Sequence, residues 1–136
     1  MDKKTYSTKV QEILSQPLDP DNPKELFNQI ALIESMAFLA VKYSTECEQE
    51  IIHQESALRC KKGQLLPSLK GTQLEKQTEL DCSCNDILVK LATKETEMKY
   101  WKNIGKLIEN KVSLAQSILS NIGSQIKAGI FMEAVK

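Results

Sequence analysis

Four cysteines and a single histidine are the first residues to weigh for chemistry: Cys47, Cys60, Cys82, Cys84 and His53. Cys60, Cys82, Cys84 and His53 together would supply three thiolates and an imidazole, a valid tetrahedral zinc set. Their spacing argues against it. Cys82-Ser-Cys84 leaves one residue between the sulfurs, whereas zinc hooks leave two to four, and His53 and Cys60 stand about 10 Å apart along a helix. The same Cys-Ser-Cys has neither a neighbouring sheet signal nor an evident activating base, so a thiol redox centre is not indicated. The expectation is four ordinary thiols, with no metal and no cofactor.

Carboxylates are plentiful but badly placed for hydrolysis. Glu46, Glu48, Glu50, Glu95 and Glu97 are spaced as solvated helix faces, and no nucleophile–base pair or Gly-rich phosphate loop accompanies them. The chain is not expected to be an enzyme. Lys99, Lys102 and Lys106, beside Tyr100 and Trp101, form a different constellation. Lysines that contact phosphate next to aromatic stacking platforms suit single-stranded nucleic acid. Against that, Trp101 falls on an apolar seam, and Arg59 is the only arginine in a chain whose 18 basic residues balance 18 acidic ones. Arginine is the usual reader of bases and phosphates, and no global field favours a polyanion.

The third candidate is apolar. Gln64-Leu-Leu-Pro-Ser-Leu-Lys70 places Leu65, Leu66 and Leu69 in a turn. Exposed there, they would make a partner-binding patch; folded back, they would plug the end of the helices on either side.

The elements that must position these groups are helices. The chain has 136 residues, 41% hydrophobic and 26% charged, with 5% aromatic and 5 glycines. That is a folded composition, poor in the short strands and Gly-rich turns of a sandwich or barrel. The charged start, Met1-Asp-Lys-Lys, is not followed by a secretory core, and no window reads as a membrane span. The expected location is cytoplasmic.

Residues 4–15 predict a short helix with Tyr6, Val10, Ile13 and Leu14 on one face. Pro17, Pro20 and Pro23 then enforce a stiff connector. Asn22 as cap, Pro23 at the first helical position and Glu25 three after the cap begin a long helix, 23–62. Its seam runs Leu26, Ile30, Ile33, Ala37, Ala40, Ser44, Cys47 and Ile51. A second line, Leu32, Met36, Leu39 and Tyr43, widens the face in the first half only. Residues 63–83 form a connector in which Thr72-Gln-Leu-Glu75 repeats the capping box, leaving open whether 72–83 is helix or loop.

The longest signal follows. From Cys84 through Ile87, Leu91, Lys94, Met98, Trp101, Gly105, Ile108, Val112, Ala115, Leu119 and Ile122, apolar residues recur every three or four positions. Lys94 is the only charge on this seam. It predicts a long helix over 84–122, followed by a C-terminal segment, 123–136, in which Ile126, Ile130, Phe131 and Val135 still pack.

Two matched helices joined by a short connection fold back antiparallel, with facing residue numbers summing to about 146. Small Ala37, Ala40 and Ser44 then approach Trp101, Gly105 and Ile108, and the Lys94 ammonium reaches Glu48 or Glu55. The expected architecture is one all-α domain over 1–136: a long antiparallel helical hairpin, coiled-coil-like, with short N- and C-terminal helices packed at its base. Those short helices would cover the wide face made by Leu32, Met36, Leu39, Leu107, Leu114 and Ile118. A hairpin with a narrow stalk buries little surface per residue, so self-association is expected, with a dimer as first guess. The function this implies is a protein–protein interaction module, an adaptor, assembly factor or inhibitor. The alternative is an accessory nucleic-acid-binding protein of phage or mobile-element origin. With the seams occupied by each other, binding must use the outer faces, the base or the tip.

Overall fold

In a computed structural model, the backbone is described for residues 1–135 and the side chains for residues 1–127. The elements are α1 (Lys3–Ser15), α2 (Pro23–Leu65), a 3-10 turn (Leu66–Ser68), α3 (Gln73–Ser83) and α4 (Asn85–Val135). The all-α class is the observed one. Each start follows local chemistry. The Asp2 carboxylate accepts the Thr5 amide at 2.7 Å, and that bond, first among its causes, holds the Asp2 carboxyl below its ordinary value. Asn22 Oδ1 accepts the Glu25 amide at 3.2 Å, with Pro23 leading α2. Thr72 and Glu75 complete a reciprocal capping box.

The connector is more ordered than expected. α2 runs on through Gly63 to Leu65, and Pro67 then forces the change to a 3-10 turn. Residues 73–83 are helix, and α4 begins two positions after α3 ends, at Asn85. α4 also continues past Gly123, where a helical glycine lowers stability by only about 1 kcal/mol and does not break the helix. Ile126, expected to pack, is exposed, and the side chains of Ile130, Phe131 and Val135 lie outside the described residues.

The chain divides into two compact bodies, residues 1–40 with 103–136, and residues 41–102. In the first, α1 lies with stretches of α2 and α4. Its core is Tyr6 and Val10 from α1, Leu26, Ile30, Ile33 and Ala40 from α2, and Ile104, Ile108 and Ala115 from α4. The Tyr6 hydroxyl donates to the Met36 carbonyl. Lys111 Nζ donates to the carbonyls of Leu14, at 2.6 Å, and Gln16. α1 has no basic residue in its last turn, so Lys111 supplies the cation that the carbonyl end of a helix favours. Burial pushes the Lys111 ammonium below the usual lysine range. Gln29 Nε2 holds the proline connector through the Pro17 carbonyl at 3.2 Å.

The wide apolar face is only partly covered. Met36, Leu39 and Ile118 are half-buried, whereas Leu32, Leu107 and Leu114 stay exposed. A helix of 13 residues spans about 20 Å and can fill only a single groove. Gly105 also departs from expectation. A Cβ built there meets nothing within 4 Å, so no close neighbour demands the glycine.

In the second body, stretches of α2 and α4 run antiparallel, with α3 between them in the chain. Tyr43 and Trp101 stack at 4.9 Å between ring centroids, and Lys61 Nζ donates to the Ser83 carbonyl at 2.5 Å. Both contacts fall within a turn of the expected register. The core is Tyr43, Cys47, Ile51, Leu80, Cys84, Leu91 and Trp101, with Ser44 also buried. Lys94 takes a different partner from the one expected. Its ammonium turns along its own helix to Glu97 at 3.1 Å, and Glu48 is met by Lys102 at 3.1 Å instead. A pair three residues apart on one helix needs little side-chain ordering, which favours Glu97 over a reach across the seam.

Candidate functional site

The best-built candidate lies in the second body, where α2 gives way to the 3-10 turn and α3. Leu66 is 55% exposed, whereas Leu65 and Leu69 are half-buried. The trio is therefore split: one leucine is presented and two are partly tucked in. Leu74, at the start of α3, is 77% exposed and is a candidate that reading the turn alone misses. The capping box was its signal, because a cap at Thr72 makes Leu74 the second residue of a new helix.

The scaffold under these leucines is held at several points. The Leu69 amide donates to the Leu66 carbonyl at 3.2 Å, and Ser68 Oγ donates to the Leu65 carbonyl at 2.8 Å. Gly71 has φ +113°, a backbone that side chains rarely adopt, and a Cβ there would stand 2.2 Å from Glu75 Oε2. The glycine thus lets Glu75 fold back to the Thr72 amide. At the other end of α3, Lys61 caps the Ser83 carbonyl, and Leu80 is 5% exposed. Leu80 and Cys84 are buried, while Leu66 and Leu74 face solvent.

The other candidates are less converged. Cys84 and Cys47 are buried, and Cys60 and Cys82 are exposed. Among the described residues, no three His, Cys, Asp or Glu side chains gather to hold a metal ion. Two open grooves lie in this body. One, of about 320 Å³, is lined by Glu50, Gln54, Val89, Lys90, Thr93 and Lys94. The other, of about 630 Å³, is lined by Asp81, Cys82, Asn85 and Leu88.

Of the basic constellation, Lys99, Lys102 and Lys106 are all exposed, and Lys102 is paired with Glu48. Trp101 is 3% exposed, its indole N–H directed at Glu97 Oε1 at 3.5 Å. Tyr100 is half-buried with its ring edge-on to Trp101 at 4.9 Å. These rings are part of the interior and its margin, not a platform open to bases. Among the described residues, no helix is long and apolar enough to cross a membrane.

No protein-family model, curated protein or solved structure matches this chain.

Proposed function

We propose that the protein is a non-enzymatic, cytoplasmic interaction module that self-associates and presents the turn between α2 and α3 to another protein, as an adaptor, assembly factor or inhibitor does. The observation that carries this reading is Leu66 and Leu74, exposed on a turn fixed by a capping box and a positive-φ glycine. Apolar side chains held out on a rigid scaffold bind with little ordering cost, which is the property of a partner-recognition patch. Leu65 and Leu69, half in and half out, fit the margin of such a patch.

Nucleic-acid binding through Lys99, Lys102 and Lys106 has less support. It would need Trp101 to leave the interior and Lys102 to leave Glu48. The two readings separate in one comparison. Changing Leu66 and Leu74 to Ser removes exposed apolar surface without touching the core. It should abolish recovery of protein partners from the native source at unchanged helicity. Undiminished recovery would reject the turn as the binding element. A salt-sensitive complex with single-stranded nucleic acid, lost when Lys99, Lys102 and Lys106 become Glu, would instead favour the alternative.

A further inference from the structure

The turn between α2 and α3 carries more than its leucines. Residues 59–76 hold Arg59, Lys61, Lys62, Lys70 and Lys76 against one carboxylate, Glu75. In a chain whose charges balance at 18 each, this stretch is a local excess of positive charge, and it contains the only arginine. Its carboxylate is already engaged, since Glu75 turns back to the Thr72 amide in the capping box. Arg59 and Lys70 are exposed, and Lys62 and Lys76 are half-buried. Among the described residues, none of the five basic side chains is paired with a carboxylate, and Lys61 meets the Ser83 carbonyl instead. Glu55 stands one helical turn before Arg59 without an ion pair, and Asp81 accepts Gln77 Nε2 at 2.9 Å.

Charge and apolar surface are interleaved here. At 3.6 residues per turn, Arg59, Lys62 and Leu66 fall within about 60° of one another along the end of α2. Lys70 follows in the turn, and Leu74 stands out from the start of α3. Unpaired cations around exposed leucines favour a ligand that brings carboxylates and apolar side chains together. The planar fork of an arginine takes a carboxylate through two parallel hydrogen bonds. Nucleic-acid bases stack on aromatic rings, and residues 59–76 include none. A helix lying on a membrane presents one continuous apolar face, whereas Leu66 and Leu74 belong to different elements joined by a fixed turn.

We propose that this turn binds an acidic peptide segment of its protein partner. Apolar side chains of the segment seat on Leu66 and Leu74, and its Asp or Glu residues meet Arg59, Lys62 and Lys70. The inference rests on the turn being the partner-binding element, as proposed above, and it adds the chemical class of what binds. Opposite charge speeds the encounter, and the same cations reject basic segments of equal hydrophobicity.

The test is selection of a random peptide library, displayed on phage, against the full chain, followed by titration of the recovered peptides by fluorescence anisotropy. Peptides that bind should combine net negative charge with at least two large apolar residues. Leu66→Ser with Leu74→Ser should weaken them about tenfold or more at unchanged helicity. Arg59→Glu with Lys70→Glu should weaken them by about tenfold. Exchanging the peptide's carboxylates for lysines should weaken binding to the wild type and restore it to the charge-reversed variant. Uncharged or basic peptides that need Leu66 and Leu74 but ignore the charge reversal would overturn the acidic class and leave the turn as the binding element. Recovery of no peptide that depends on the leucines overturns both. Leucine-dependent binding to vesicles containing phosphatidylserine, with no peptide recovered, overturns the proposal in favour of a membrane surface. Should either double variant lose helicity, Arg59→Gln and Leu74→Ala replace them. Weakened binding in both supports the proposal, and unchanged affinity in either overturns it.

Discussion

The two bodies solve the same problem, burying a helical seam, with different means. In the first, a third helix brings Tyr6 and Val10 to full burial, and the core is built mostly from branched side chains: Ile30, Ile33, Ile104, Ile108 and Leu26. In the second, the fully buried seam positions include Cys47 and Cys84, while Ile87, Lys94 and Met98 stay half-exposed. There the third helix, α3, contributes Leu80, and the Tyr43–Trp101 pair adds the bulk. The ion pair Lys102–Glu48 adds little, since both side chains are about half exposed. A body with a narrow core depends heavily on Trp101, which packs against both Tyr43 and Tyr100. A body with a broad core spreads the load.

The most direct way to break this contrast is Trp101→Ala. Removing a buried indole costs about 3–5 kcal/mol. Amide exchange should show protection lost first over residues 41–102, with residues 1–40 holding longer. Equal loss in both would mean that the aromatic pair is not the second body's principal support. Gly71→Ala comes next. Forcing a side chain onto φ +113° and against Glu75 should cost about 1–3 kcal/mol. It should appear as a lower melting temperature, with lost exchange protection confined to the first turn of α3.

Gly105→Ala runs the other way. With open space around the added methyl, it should stabilise the first body by about 1 kcal/mol, measured by urea denaturation. The smallest effect concerns the cap of α1. The Asp2 carboxyl is held below 3.8, so its contribution is fully present above that pH and is lost as pH falls through the lower folded value. Protection of the Thr5 amide should follow that titration, and Asp2→Asn, whose amide caps without charge, should remove the pH dependence.

Where the sequence carried local, directional signals, the fold was legible. The prolines, the Asn22 cap and the 3.5-residue seams placed the two long helices and their register, whereas the Thr72 cap left residues 72–83 open between helix and loop. Ties between near-equal options were harder. Lys94 had carboxylates within reach on two helices, and spacing alone does not rank Glu97 above Glu48. The cover over Leu107 and Leu114 failed because one short helix cannot span a face that wide. Of the binding candidates, the turn was visible as Leu65, Leu66 and Leu69, but which leucine points outward depends on the backbone path of the turn, where the chain changes from α2 to a 3-10 helix at Leu66.

Photocrosslinking in the native source tests whether the turn between α2 and α3 meets a protein partner. A photoreactive residue is placed in turn at Leu66, at Leu74 and at the exposed His53. Adducts with a second, distinct polypeptide from positions 66 and 74, and none from 53, are the predicted result. A distinct polypeptide captured from 53 while 66 and 74 stay unmodified would contradict it.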